Sequence, residues 1–151
     1  MIELVILGEP QRKQRPRFNR HTGIAYTPDQ TTNYENLIRH EYMSKYGHMA
    51  FDDEEHITAE VTACFALPKS DFCKHGLSKS GKEKERHGWR CNTRADADNV
   101  AKVCLDALNG VAYPDDRLIC DLHVRKRWAK EPKVIIHLWR EYEQETEVKN
   151  P

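Results

Sequence analysis

"RADADNVAKVCLDALNGVAYPDDRL", residues 94–118, is the stretch on which the reading of this chain turns. Two carboxylates stand on alternate positions, Asp96 and Asp98, and Lys102 follows on a helical face. Asn109 and Gly110 close the helix, and a second acidic pair, Asp115 and Asp116, opens the next strand. Residues two apart share a side in extended chain and diverge on a helix. Asp96 and Asp98 therefore converge if extended backbone turns helical at about Asp98, where the positive end of the helix also favours a carboxylate. Lys102 then lies one turn on, on the same face as Asp98. The helix from Asp98 to Leu108 is about 16 Å long at ~1.5 Å per residue, and the return from Gly110 spans at most about 20 Å. Asp116 can regain Asp98 over that distance, tightly, with Gly110 and Pro114 as bends. Failing that, a dimer partner supplies the missing group.

Acids gathered this way repel one another unless water or a cation lies among them. Three carboxylates around an open site suit a hard divalent ion, Mg²⁺ or Mn²⁺. Such an ion polarises a phosphodiester and activates water, and two ions roughly 4 Å apart would clamp both attacking and leaving oxygens. Lys102 would offset charge growing on the phosphate. That is nuclease chemistry. A plainer reading stands beside it: Asp96 or Asp98 caps the helix, and Lys102 pairs with Asp98 or Asp106 on its surface. An EF-hand is excluded, because the glycine and glutamate its loop needs are replaced by Ala101 and Ala107.

Working outward, "MIELVIL" reads as a first strand, stopped by Gly8-Glu9-Pro10. A helix follows, with Thr27 as cap, Pro28 in its first position, Gln30 completing a capping box and Gly47 ending it. Tyr34, Leu37, Ile38 and Tyr42 form its buried stripe. "HITAEVTACFAL" alternates, with Ile57, Ala59, Val61, Ala63 and Phe65 on one face of a half-buried strand. Residues 69–94 show neither period and read as a long basic loop, of the kind that is usually functional or mobile. After the second helix come "LICDLHVRKRW" and "KVIIHLW", joined by a polar turn around residues 130–132 that fits a hairpin. The expectation is a single α/β domain over residues 1–151. Its mixed sheet is packed by two helices in the order β-α-β-loop-α-β-β, with a flexible acidic tail at 141–151. Trp128, Trp139 and Tyr26 are expected in the core, Trp128 and Trp139 alternatively at a dimer interface. Cys104 and Cys120 are expected as small buried hydrophobes, and His123 and His137 as surface or core residues of the last strands.

The 151 residues carry a formal net charge of zero, so whole-molecule charge calls for no polyanionic partner. The distribution does. Residues 11–20 hold Arg12, Lys13, Arg15, Arg17 and Arg20 with no acid, and residues 69–94 hold eight Lys or Arg against three acids. The first run is an arm for phosphate contacts, and Lys79, Lys82, Lys84, Arg86 and Arg90 track a second stretch of backbone. Phe18, Tyr26 and Trp89 lie in or beside these loops and could stack at unpaired bases, or pack on the sheet. Five cysteines form no CxxC pair. Without a signal-like opening or a membrane-length apolar run, an intracellular, reduced protein follows. Cys73, His75, His87 and Cys91 could be a zinc set, but the central gap suits no common finger, so they read as solvated loop residues. No Ser-His or Cys-His pairing argues for covalent catalysis.

"DADNVAKVCLDALNG" followed by "AYPDD", with "GEPQRKQRPRF" and "YTP" near the start, resembles the RusA family of Holliday-junction resolvases, many of them phage-encoded. The motifs run in the family's order over most of the chain. The resemblance implies a RusA-like fold and a small homodimeric Mg²⁺-dependent endonuclease of the bacterial cytoplasm, in which Mn²⁺ substitutes. It would resolve four-way DNA junctions by paired nicks in recombination and repair. Carried over by residue, the metal-binding aspartates fall on Asp96, Asp98 and Asp116, the essential lysine on Lys102, and an additional acid on Asp115. One departure is Leu118, where a glutamine is common, which puts a contact around the ligands in doubt. The alternatives are a nuclease on other branched DNA, such as flaps, and a non-catalytic junction-binding protein. Against the latter, added carboxylates gain a DNA-binding protein nothing.

Overall fold

Strict alternation writes the first strand. β1 (Ile2–Leu7) buries Ile2, Leu4 and Ile6 and leaves the residues between them exposed, the period of a sheet covered on one face. In the computed structural model, which describes residues 1–87 and 95–140, β1 is the edge of a four-stranded sheet. The order is β1, β8 (Lys133–Arg140), β4 (Ile57–Ala66), β7 (Ile119–Ala129). β8 runs antiparallel to both β1 and β4, while β4 and β7 are parallel, so the sheet is mixed as expected. Ile57, Ala59, Val61, Ala63 and Phe65 are all buried on one face of β4, and its central place also covers Thr58 and Cys64.

The expected hairpin is not formed. β7 and β8 are joined by residues 130–132, yet β4 lies between them and pairs with both. Four residue steps reach at most ~13 Å, enough to cross two strand spacings of about 4.8 Å. The Leu67 N–H to Ala129 carbonyl bond (3.1 Å) and the Gly8 N–H to Pro132 carbonyl bond (3.0 Å) fasten that crossing. A polar turn with a proline serves a crossing as well as a hairpin, and only β4's need for two neighbours separates them.

Two helices cover one face and touch each other: α1 (Asp29–Tyr46) and a helix spanning Ala97–Leu108. In α1 the cap falls one residue later than the pattern suggests. Pro28 is N-cap without a side-chain bond, and Gln30 instead pairs with Gln14 at 2.7 Å. Gly47 ends the helix with φ 77°, a conformation that favours glycine. Tyr34, Ile38 and Tyr42 are buried at four-residue spacing, whereas Leu37 is 40% exposed because it lies off that line.

Residues 69–94 are not one long loop. A 3₁₀ turn (Lys69–Asp71) leads into a short ladder of β5 (Phe72–Cys73) with β6 (Gly76–Leu77), then a helix, α2 (Lys79–His87), so the Ala97–Leu108 helix is α3. Ser78 caps α2, its hydroxyl accepting from the Gly81 N–H at 3.1 Å. Gly81 is held so close that a Cβ there would meet the Asp71 carbonyl at 2.6 Å. Asp71, 4% exposed, binds Lys84 at 2.6 Å, which keeps its carboxyl below the usual range. Residues 88–94 and 141–151, with Trp89, Arg90, Cys91 and the acidic tail, lie outside the described residues.

Two further expectations change. Tyr26 is 47% exposed on a hairpin formed by β2 (Arg17–Asn19) and β3 (Ile24–Tyr26). Cys120 is exposed on the edge strand, while Cys104 is fully buried and its thiol is pushed up to about 12 by burial, which makes it inert. Trp128 and Trp139 are half-buried, Trp128 against the core. His123 is exposed on β7, and His137 pairs with Glu3 at 3.0 Å.

Candidate active site

Asp96 adopts extended backbone (φ −69°, ψ 139°) and helix begins at Ala97, one residue ahead of the expected start, so Asp98 already lies in the first turn; Asp96 and Asp98 nevertheless line one cavity. Both are exposed while Val100 behind them is fully buried. Asp96 makes no capping bond; Asn99 Nδ2 donates to its Oδ2 at 3.4 Å. Neither Asp98 nor Lys102 has an ion-pair partner among the described residues. The surface-pair alternative for Lys102 is therefore not what forms.

The start of α3 is tethered from two sides. Lys126 Nζ donates to the Ala95 carbonyl at 2.8 Å, and the Lys13 N–H donates to the Asn99 carbonyl at 2.9 Å. The second bond draws the basic run alongside the acids. Arg12, Lys13, Gln14, Arg15, Pro16 and Arg17 form one wall of a cavity of ≈ 810 Å³, and Asp96, Asp98 and Asn99 form the other. Carboxylates facing guanidinium groups across open solvent can hold a cation on one side and a phosphate on the other.

Lys13 itself is otherwise engaged. Its ammonium binds Glu35 of α1 and, at 2.8 Å, Asp106 of α3. Burial alone would lower its pKa, but hydrogen bonds to Asp106 and Glu35 outweigh that and raise it. Lys13 is thus the pin between arm and helices rather than a free phosphate contact. The charge pattern alone made it one of five equivalent cations. The available signal was Glu35, an acid beside the buried stripe of α1, since a buried acid requires a cation.

Asp116 is not among the residues that line this cavity. It opens a 3₁₀ turn (Asp116–Leu118) after Tyr113, whose hydroxyl donates to the Leu105 carbonyl at 2.8 Å and is held well above its usual pKa by burial, then by the charges of Asp116 and Asp106. The Asp116 carboxylate therefore lies near enough to Tyr113 for its charge to act on the hydroxyl. Among the described residues no three His, Cys, Asp or Glu side chains approach closely enough to hold a metal, the Cys73 and His75 positions included. Asp115 has a structural task, its Oδ1 accepting from the Arg117 N–H at 2.9 Å.

On α2, Lys84 is bound to Asp71 and lies 5.8 Å over the Trp128 ring, so it anchors the helix. Lys79, Lys82 and Arg86 instead share a groove of ≈ 320 Å³ with Glu83. Arg20 is exposed at the turn of the β2–β3 hairpin. Lys126, Glu35 and Asp71 were given no role in the sequence reading, and Asp106 entered it only as a candidate partner of Lys102, because each acts on a partner distant along the chain.

The model of the RusA endodeoxyribonucleases matches residues 8–139, from the end of β1 to β8. The chain belongs to the RusA family. RusA proteins are endodeoxyribonucleases, hydrolases acting on DNA. The Bacillus subtilis (strain 168) protein YqaN, described as uncharacterized, is 30% identical over 143 residues, covering 88% of this chain and 92% of its own. The family match spans both walls of the cavity and both acidic pairs. Among the described residues no helix is long and apolar enough to cross a membrane.

Proposed function

We propose that this RusA protein is a divalent-metal-dependent endonuclease that resolves Holliday junctions, acting as a homodimer. The observation that carries the reading is the cavity in which Asp96 and Asp98, neither engaged in capping, face Arg12, Arg15 and Arg17. Two carboxylates together with substrate phosphate and water make an oxygen donor set that suits Mg²⁺, or Mn²⁺ in its place, since Mg²⁺ keeps several waters. Bound there, the ion would supply polarisation of the phosphodiester and a more acidic water.

The protein's own groups do the rest. Arg12, Arg15 and Arg17 grip the phosphates on either side of the scissile bond and set its orientation, planar guanidinium groups matching phosphate oxygens. Lys102, one turn along α3 from Asp98, presents an ammonium to charge developing on the phosphate oxygens. Asp116 would add a third carboxylate to Asp96 and Asp98. Lys126 and the Lys13 N–H hold the extended-to-helix transition in place, so both acids are oriented before DNA arrives. Two such sites related by a two-fold axis match the symmetry of a four-way junction, and one nick from each resolves it. The family's association with branched DNA supports this substrate.

The test is cleavage of a synthetic four-way junction and a linear duplex, in Mg²⁺ and in EDTA. Paired, Mg²⁺-dependent nicks on the junction are expected. Equal cutting of the duplex would reject the substrate assignment, and cutting in EDTA would reject the metal.

A further inference from the structure

Between the basic run and α1 the chain builds a hairpin that contributes nothing to the core. β2 and β3 pair Arg17 with Tyr26, Phe18 with Ala25 and Asn19 with Ile24, and every residue of both strands is exposed. Phe18 is 65% exposed, Ile24 63% and Tyr26 47%. A two-stranded ribbon is marginal alone, yet this one has an organised turn. Asn19 Oδ1 accepts from the His21 N–H at 2.9 Å, and the Gly23 N–H donates to the Asn19 carbonyl at 2.8 Å. Folding does not account for three large apolar side chains on such a ribbon, because none of them is buried by it.

Their placement and the surrounding charge indicate a partner. Directly paired residues share a face and successive residues alternate, so Phe18 projects from one face and Ile24 with Tyr26 from the other. An apolar patch for another protein's surface would occupy one face; a blade with both faces apolar fits between two layers. Residues 10–28 contain no Asp or Glu and five Arg or Lys, so the layers belong to a polyanion. Arg15 and Arg17, at the hairpin's root, line the cavity that holds Asp96 and Asp98. Duplex DNA hides its base faces by stacking, whereas a branch point exposes them.

We propose that the β2–β3 hairpin is a base-stacking arm, in which Phe18, Ile24 and Tyr26 contact unstacked bases at the branch point while Arg15, Arg17 and Arg20 hold the adjoining phosphates. This rests on the reading of branched DNA as substrate. The arm makes that choice of substrate physical, since fully stacked duplex offers nothing for it to enter.

The experiment is photo-cross-linking of the full-length protein, in EDTA so that no strand is cut, to a four-way junction with 5-iododeoxyuridine at the branch point. Junction and duplex affinities are measured alongside for wild type, Phe18→Ala and Tyr26→Ala. Both side chains are exposed, so neither substitution removes core packing. Cross-links within residues 18–26 are expected, with junction affinity lower by roughly tenfold for each aromatic removed and duplex affinity within about twofold of wild type. Wild-type junction affinity in both variants, or cross-links confined to other segments, overturns the proposal. So does loss of the dimer in Phe18→Ala with no cross-link within residues 18–26, which would give the hairpin to a second copy of the chain. If wild type binds junction and duplex equally, the substrate reading fails by itself. The hairpin is then judged on single-stranded DNA carrying the same iodinated base: a cross-link there retains it as a base contact, and none refutes it.

Discussion

Replacing Lys13 by methionine separates anchoring from DNA contact. Methionine keeps the length and the apolar stem and deletes only the charge. It leaves Glu35, 11% exposed at its side chain, with Arg39 at 3.9 Å, and strips Asp106 of its 2.8 Å partner. Removing one member of a fully buried ion pair costs about 3–5 kcal/mol, while a solvated pair contributes only about 0–1 kcal/mol. Side chains 23%, 11% and 28% exposed lie nearer the buried limit but remain partly wet, so we expect a loss of roughly 2–3 kcal/mol. For a chain of this size that lowers Tm by about 5–10 °C. Because the folded pKa of Lys13 is raised above 10.5, its contribution is complete below that pH and fades only as pH climbs through the raised value. Urea unfolding at about pH 7.5, roughly three units below that range, therefore measures the whole effect. Glu35→Gln added to Lys13→Met should cost less than the two single losses summed, the mark of direct coupling. The salt dependence of junction binding supplies the contrary outcome. If Lys13→Met unfolds within about 0.5 kcal/mol of wild type while the slope of log affinity on log salt falls by about 1, Lys13 is a phosphate contact and the anchor is refuted.

Asp98→Asn keeps the basic wall and removes one carboxylate of the proposed metal site. Removing even the outer partners of metal ligands costs 10–100-fold, so junction cleavage should fall by more than about 100-fold with binding retained; wild-type single-turnover rates would sink the assignment. Arg15→Ala with Arg17→Ala should flatten the salt slope by about 2, at roughly 0.9 per phosphate contact, and an unchanged slope in filter binding would take the arm out of the interface. Asp71→Asn should loosen α2 from the sheet. The Asp71 carboxyl is depressed below 3.8, chiefly by its bond to Lys84, so its contribution is present above that pH and disappears as pH falls through the lowered value. Amide exchange across residues 79–87 should accelerate in the variant at neutral pH and converge with wild type in strong acid. Equal protection at neutral pH would show that Asp71 does not hold the helix.

What the sequence made legible was whatever repeats along the chain. The alternation in β1 and β4, the four-residue spacing of Tyr34, Ile38 and Tyr42, and a switch from extended chain to helix beside Asp98, found one residue earlier at Ala97, are local patterns with direct geometric meaning. Hidden from it were choices made between segments. Nothing local to residues 130–132 says that β4 will enter between β7 and β8, and nothing local to Lys13 sets it apart from Arg12 or Arg15. The same division runs through the acids. Asp96 and Asp98 were legible as a pair because they are two residues apart where helix starts, whereas Asp116 depends on a return path past Tyr113 that no local pattern fixes. The electrostatics follow the same division. Acids freed from capping can face arginines across solvent only because a different set of charges, Lys13 with Glu35 and Asp106, fixes the wall that carries those arginines. The cations that work on DNA should therefore be those with no carboxylate partner, and the paired ones, Lys13 and Lys84, set where they stand.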